Sequence, residues 1–171
     1  MSSPRRRQPQ RRKVERPDEG VLFPLNRRET TKLVRAALEE DGAFDDVTTI
    51  ATVVSDRRAR CRLVARRAGV IAGLPLALEA FRQLNPRVTI RVDGEDGRTV
   101  APGSVFVALS GSARGLLSAE RVALNFLQRL SGIATLTAKF VAAVQGTGAK
   151  ILDTRKTTPG WRSLEKYAVR A

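Results

Sequence analysis

The sequence contains no histidine, and this absence excludes several kinds of catalytic and metal site from the chain. Without imidazole there can be no Ser-His-Asp or Cys-His nucleophile system and no metal site with histidine ligands. Cysteine is almost absent too, because Cys61 is the only one in 171 residues. A lone thiol cannot form an intrachain disulfide, and in the strand-like segment 60–64 it is typically a small buried side chain. Such sparing use of cysteine is typical of a cytoplasmic protein.

Long apolar runs are also missing. The most apolar stretch, residues 68–81, is too short to cross a membrane and contains Pro75 and Glu79. The amino terminus has no apolar segment of the kind that secretion signals contain. We therefore expect a cytoplasmic protein without a membrane partner.

Negative charge is scarce relative to positive charge, since 17 Asp and Glu face 31 Lys and Arg, a net charge of +14. Such an excess predicts attraction to anions, whether nucleic acid, membrane head groups or phosphorylated metabolites. Residues 1–20 form an arginine- and proline-rich tail that we expect to be disordered, because it offers little apolar surface to bury. No aromatic side chain lies between those arginines to stack on bases, so we do not expect nucleic acid as a partner.

The most informative stretch is 150–160, with the sequence KILDTRKTTPG. Residues 151–152 are typical of a short buried strand, and 157–160 predict a turn. Between them an acid, a hydroxyl and two cations, Arg155 and Lys156, follow the carboxyl end of that strand. Ligands of parallel α/β folds bind beyond such strand ends, and this composition suits a ligand rich in phosphate or carboxylate. The alternative interpretation is a solvated strand end.

The preceding residues predict an α+β domain. A helix begins near Asn26, where Glu29 completes a capping box, and it ends at Gly42. The paired aspartates at 45–46 predict a turn leading into the sheet, because no third metal ligand lies nearby. A second helix opens at Pro75. The predicted strands are 61–65, 69–72, 88–92 and 105–109, with a hairpin turn at 93–97.

From residue 118 onward the pattern is mainly helical. Ser118 predicts a helix start, and Ser131-Gly132 predicts a break before a second helix at 136–145. The last helix starts at Ser163 and has one apolar face and one basic stripe. An order of helix, strand, polar strand end and helix is how an α/β barrel begins. The predicted fold is thus an α+β N-terminal sandwich domain, residues 21–117, followed by the start of an incomplete α/β barrel, residues 118–171.

Several stretches, taken together, resemble the quinolinate phosphoribosyltransferase family. They occur in one consistent order, cover about residues 26–171 and leave the basic tail outside. The matching segments are 46–49 (DVTT), 68–73 (AGVIAG), 118–125 (SAERVALN), 130–135 (LSGIAT), 151–160 (ILDTRKTTPG) and 165–170 (EKYAVR).

The resemblance implies a homodimer with shared active sites that moves a phosphoribosyl group from phosphoribosyl pyrophosphate, with Mg²⁺, to quinolinate. Loss of CO₂ then gives nicotinate mononucleotide for NAD biosynthesis. By motif match, Arg155 and Lys156 are the expected catalytic and substrate-binding cations. Arg121 is similar to the arginine that family members insert into the partner's site. Thr154 and Arg162 match further substrate-binding positions.

This sequence departs from the family pattern in two respects. Asp45 stands where the family usually has glycine. Family members also continue beyond the Ala-Val-Arg segment with a glycine-rich turn, an Asn-His-Arg segment, a lysine and acidic residues around the ribose and metal. We therefore expect that the 171-residue chain is truncated, that it is inactive alone and that metal ligands lie outside it.

Two other functions remain open at this point. One is a related barrel phosphoribosyltransferase with another aromatic substrate, which product analysis with quinolinate and nicotinate would separate. The other is a non-enzymatic basic module that binds anions or nucleic acid. Binding by such a module would depend steeply on salt and would be lost with residues 1–20.

Overall fold

The computed structural model describes residues 22–171, so the predicted disordered tail lies outside the described part of the chain. A 3₁₀ turn at Ala43–Asp45 follows the first helix. The helices are α1 Arg27–Glu40, α2 Val47–Thr52, α3 Leu74–Leu84, α4 Ala113–Ala143 and α5 Arg162–Arg170. The strands are β1 Arg58–Val64, β2 Gly69–Val70, β3 Thr89–Val92, β4 Thr99–Val100 and β5 Val105–Ser112.

The strands form two antiparallel sheets. The larger sheet has the order β1-β5-β3, and β2 pairs with β4 in a small second sheet. Side chains on β5 alternate, so that Val107 and Leu109 are buried against the core while Ala108 and Ser110 lie on the other face. Helices α3 and α4 pack against each other and complete the core with Leu76, Phe81 and Leu130. The α+β fold predicted from the sequence is confirmed.

The first helix begins and ends where the sequence predicts. The Asn26 side chain accepts a hydrogen bond from the Glu29 amide at 3.0 Å, and the Glu29 carboxylate accepts one from the Asn26 amide at 2.8 Å. Gly42 follows with a φ of 68°, which an L-residue with a side chain adopts only at a cost. By contrast, Asp46 does not lead into the sheet. It accepts a hydrogen bond from the Thr49 amide at 3.1 Å and so caps α2.

The predicted hairpin at 93–97 is wrong, because β3 and β4 belong to different sheets. Asp96 in the connecting loop accepts hydrogen bonds from the amides of Gly73 at 2.8 Å and Leu74 at 3.1 Å. Its carboxylate therefore caps α3 and draws the loop away from β3. The Tyr167 hydroxyl donates to the same carboxylate at 2.6 Å and joins α5 to this loop.

Helix α4 is continuous over 31 residues, so the predicted break at Ser131-Gly132 is wrong. The Ser131 hydroxyl accepts a hydrogen bond from the Ala72 amide at 3.0 Å and donates one to the Ala72 carbonyl at 3.2 Å. Ser118 does not start the helix either, because Ser112 is its N-cap. The predicted domain boundary at 117/118 stays a prediction, and α4 runs across it. No helix within residues 22–171 is long and apolar enough to cross a membrane.

Two glycines of α4 are expected to respond in opposite ways to the same substitution. A Cβ on Gly115 would lie 2.7 Å from the Leu84 carbonyl oxygen and 2.9 Å from the Asn85 Cβ, whereas a Cβ on Gly132 would meet nothing within 4 Å. We expect Gly115→Ala to lower the free energy of unfolding by about 1–3 kcal/mol through overpacking. Gly132→Ala should raise it by about 0.5–1 kcal/mol, because alanine loses less backbone entropy in a helix.

Urea denaturation of the two variants measures both effects, and each variant is the control for the other. Equal shifts of the unfolding midpoint would contradict the close packing of α4 against the end of α3.

Candidate active site

The stretch that the sequence singles out is a loop. Residues 151–152 form no strand, and Leu152 is 82% exposed, so the predicted buried strand is wrong. A parallel strand needs neighbouring strands to bond its amides and carbonyls and to cover its side chains. The five strands in the described part of the chain are all paired antiparallel with one another and offer no such neighbour.

Helix α5 holds this loop through polar contacts. The Lys166 Nζ lies 2.7 Å from the Asp153 Oδ1, which neutralises the acid at the start of the loop. Arg162 is exposed and lies beside the loop, with its Nε 3.4 Å from the Thr157 hydroxyl and its Nη2 3.5 Å from the Arg155 carbonyl oxygen. These last two distances are long for hydrogen bonds, so Arg162 keeps freedom to turn toward a ligand.

Glu165 forms the strongest link between α5, the loop and α4. Its carboxylate lies 2.6 Å from the Arg129 Nη2 and accepts hydrogen bonds from the Thr158 hydroxyl at 2.7 Å and the Thr158 amide at 3.3 Å. Arg129 also donates to the Thr158 hydroxyl at 3.0 Å. The hydrogen bond from Arg129, followed by that from Thr158, holds the pKa of Glu165 below its usual value. Neither Arg129 nor this role of Glu165 was anticipated from the sequence, since their partners lie 36 and 7 residues away.

We expect acid to remove the stabilisation that this carboxylate supplies. Because folding lowers its pKa, the contribution is complete above the unfolded pKa of about 4.3 and is lost as the pH falls toward the folded value. Glu165→Gln should therefore lower the melting temperature at pH 7, and the difference from the wild type should shrink as the pH falls below about 4.3. Thermal melts across this range test it, with exposed Glu40→Gln as the control. A difference that stays constant with pH would assign the effect to packing alone.

The loop presents Arg155 and Lys156 side by side. The Lys156 amide donates to the Thr154 hydroxyl at 3.1 Å, so Thr154 shapes the turn in which both cations stand. Both side chains are exposed, and within residues 22–171 neither makes a hydrogen bond or salt bridge. The structure thus brings Thr154, Arg155, Lys156 and Arg162 together in one loop and the helix that follows it.

Arg121 lies on the first half of α4 and, within residues 22–171, makes no hydrogen bond or salt bridge with any of these four residues. Its guanidinium is 2.9 Å from the Asp41 carboxylate, and its side chain is 71% exposed. Asp41, Asp45 and Asp46 line the adjoining cavity of about 280 Å³. A hydrogen bond with Thr49, followed by one from Ser118, lowers the pKa of Asp46, which keeps the cavity anionic. An anionic ligand would be repelled from this cavity.

Two exposed apolar side chains, Val47 and Leu117, line the same cavity as Arg121. Val47 is 75% exposed, and Ile50, Leu117 and Phe44 are also among the exposed large hydrophobic residues. We call these four residues, on or beside α2 and at the start of α4, the α2 patch. Apolar surface gathered in this way marks contacts with other proteins.

No group of three or more acidic or cysteine side chains in residues 22–171 is arranged to hold a metal ion.

Comparison with known proteins matches two family models. Residues 46–131 match the quinolinate phosphoribosyl transferase N-terminal domain, and residues 133–171 match the C-terminal domain of the same family. The two matches meet inside α4.

Curated relatives and solved structures agree with these matches. A nicotinate-nucleotide pyrophosphorylase [carboxylating] of Mycobacterium leprae is 48% identical over 142 residues, which are 80% of this chain and 49% of the relative. A probable enzyme of the same name from Bacillus subtilis is 41% identical over 86% of this chain and 50% of the relative. The NadC structure from Streptococcus pyogenes superposes with a TM-score of 0.80 at 42% identity, covering 85% of this chain and 52% of that one. The chain spans about half the length of the curated relatives it matches.

Proposed function

The chain belongs to the quinolinate phosphoribosyltransferase family, and on that basis we propose that it provides cationic substrate-binding residues for phosphoribosyl transfer to quinolinate. The donor is phosphoribosyl pyrophosphate, and the products are nicotinate mononucleotide, pyrophosphate and CO₂. This reaction belongs to NAD biosynthesis. We also propose a cytoplasmic location, which the single cysteine favours.

The observation that carries this proposal is the pair of free cations on the loop. The nearby acids are already neutralised, Asp153 by Lys166 and Glu165 by Arg129. Arg155 and Lys156 have no such partner within the described residues, so their charge remains available to an anionic ligand. Arg162, beside them, adds a third cation.

These cations suit both substrates. Quinolinate carries two carboxylates, and a guanidinium can bind a carboxylate through two parallel hydrogen bonds. As pyrophosphate departs, negative charge grows on its oxygens, where fixed cations stabilise the transition state more than the ground state. The ring nitrogen of the substrate is the nucleophile, so the reaction needs no nucleophilic side chain and no histidine from this stretch.

We propose that Mg²⁺ arrives bound to the phosphates of the donor. Phosphate-bound Mg²⁺ keeps several of its own waters and needs few protein ligands. No residue described here is assigned to it, and the cations above act on the substrates directly.

We further propose a homodimer in which Arg121 serves the partner's site. The cavity beside Arg121 in its own chain is lined by three aspartates, which disfavour an anionic substrate there. The surrounding α2 patch offers apolar surface for a second subunit. In a two-fold dimer every contact occurs twice, so an Arg121 that reaches the loop of the partner subunit is matched by the reverse contact.

A fusion protein of family length tests the reaction. Residues 22–171 are joined to the portion of the Mycobacterium leprae relative that lies beyond the matched region, and nicotinate mononucleotide is measured with quinolinate, phosphoribosyl pyrophosphate and Mg²⁺. We expect product and CO₂ from quinolinate and none from nicotinate. Product from nicotinate only would favour the alternative aromatic substrate, and a folded fusion protein without either product would refute the proposal. The intact relative is the positive control, and the unfused 171-residue chain is assayed beside it.

A further inference from the structure

The outer face of the larger sheet carries an ordered set of cations. Strand register places Arg60 opposite Ser110 and Arg62 opposite Ala108 on the central strand β5. On the other side of β5, Thr89 faces Ser110 and Arg91 faces Ala108. Residues directly opposite one another in antiparallel strands share a face. Two rows therefore cross the sheet, Arg60-Ser110-Thr89 and Arg62-Ala108-Arg91.

The alternate residues of the same strands face the protein interior. Leu63, Val107 and Leu109 are buried, and Cys61 packs against the same core. This places the two rows on the opposite, outward face, where the three arginines and Thr89 are exposed.

Small side chains on β5 leave a trough between the arginines. The trough has a volume of about 480 Å³ and is lined by both rows. Ala108 and Ser110 form its floor, while the long arms from β1 and β3 form its two sides. A volume of this size is in the range of small-molecule sites, roughly 300–1,000 Å³.

The charge in the trough is largely uncompensated. Arg91 has one acidic partner, Asp93, with 3.1 Å between its Nε and the carboxylate. Arg60 and Arg62 make no salt bridge or hydrogen bond with any residue in 22–171. Like charges on one face of a sheet repel each other, and an anion between them would relieve that repulsion.

Charged side chains on edge strands also prevent sheets from pairing with each other, and both β1 and β3 are edges. Protection of the sheet edges would explain the presence of the charges. It would not require small residues on the central strand, or the hydroxyls of Ser110 and Thr89 on the floor between the arginines.

We propose that this trough binds a small molecule with two or more linked phosphate groups. Arg60 and Arg62 stand about 6.6–6.8 Å apart along β1, and β1 and β3 are roughly 10 Å apart across β5, which lets flexible arginines converge on a short phosphate chain. Guanidinium groups bind phosphate through paired hydrogen bonds, and the hydroxyls add further donors. The lining contains no aromatic side chain for a base to stack on, which favours a small polyphosphate over single-stranded nucleic acid. The proposal depends on the sheet and not on the function proposed above.

Calorimetric titration of the complete 171-residue chain with inorganic tripolyphosphate tests the site. The variant Arg60→Ser/Arg62→Ser is compared with Arg66→Ser/Arg67→Ser, in which two exposed arginines of the β1–β2 turn are lost. All three proteins keep the basic tail, so its binding is common to them. We expect the sheet variant to bind at least about tenfold more weakly and the turn variant to stay within about twofold of the wild type.

Equal weakening in both variants would show attraction to net charge only and would overturn the proposal, as would a wild-type chain that does not bind tripolyphosphate. Circular dichroism establishes that the variants are folded. Amide chemical shifts in the wild-type chain locate the ligand independently, and we expect Thr89 and Ser110 to move on titration. Light scattering measures the oligomeric state and tests whether the trough is instead a contact between two copies of the chain. A dimer that forms through this face and excludes tripolyphosphate would also refute the site.

Discussion

Replacing Arg155 by alanine in the family-length fusion protein is expected to lower kcat/KM for quinolinate by about 10²–10³-fold. Arg155 is exposed and has no salt-bridge partner in the described part of the chain, so its charge is available to substrate rather than needed for folding. The variant lacks one fixed cation that would contact the departing pyrophosphate or a substrate carboxylate. Removing such a contact costs about 2.7–4 kcal/mol of transition-state stabilisation. Steady-state kinetics with both substrates varied measures the effect.

Two further variants give this experiment its controls. Arg155→Lys keeps the charge but loses the planar fork, and we expect it to recover only part of the activity. Arg66→Ala removes an exposed arginine from the β1–β2 turn and should leave the kinetics unchanged. Wild-type kinetics in Arg155→Ala would discredit the assignment of the loop as the substrate site.

Mixing two inactive variants is expected to restore about a quarter of the wild-type activity if sites are shared across a two-fold dimer. In a heterodimer of Arg121→Ala and Arg155→Ala, one site combines the intact loop of one subunit with the intact Arg121 of the other. The second site lacks both residues. Since half of randomly mixed dimers are heterodimers, one site in four becomes functional. Activity is measured after the subunits are mixed under conditions that allow exchange.

The matched control uses two residues of the same loop. Arg155→Ala mixed with Lys156→Ala cannot create an intact site, because every loop then lacks one cation, so we expect no recovery. Recovery in this control, or none in the test pair, would contradict a role for Arg121 in the partner's site. Monomeric fusion protein in light scattering would contradict the dimer itself.

Local signals in the sequence predicted both ends of α1 and the start of α3. These signals are the Asn26–Glu29 capping box, the stop at Gly42 and the proline near the start of α3. Each depends on residues within about four positions in the sequence, so its partners can be identified from the sequence alone. The motif at 154–156 likewise indicated an anion-binding loop, because the two cations are neighbours in the chain. Whether they bind substrate stays a prediction.

Two of the errors share a different cause. Ser131 suggested a break, but its hydroxyl bonds Ala72, 59 residues earlier, and the helix continues. The segment 93–97 suggested a hairpin, but the carboxylate of Asp96 within it caps a helix that begins 22 residues earlier. In both cases a polar side chain with strong local preferences found a distant partner that no local pattern reveals.

The order of residues was enough to establish the family, the α+β fold class and the cluster of cations after residue 153. Folding alone decided that Arg129, Thr158 and Glu165 join in one network, that Arg121 pairs with Asp41 beside two further aspartates, and that three arginines line one trough over β5. The physical reason is how far apart in the sequence the interacting residues lie. Caps and periodicity depend on contacts within one helical turn or one strand, whereas charge neutralisation and trough formation depend on residues that only packing brings within a few ångströms.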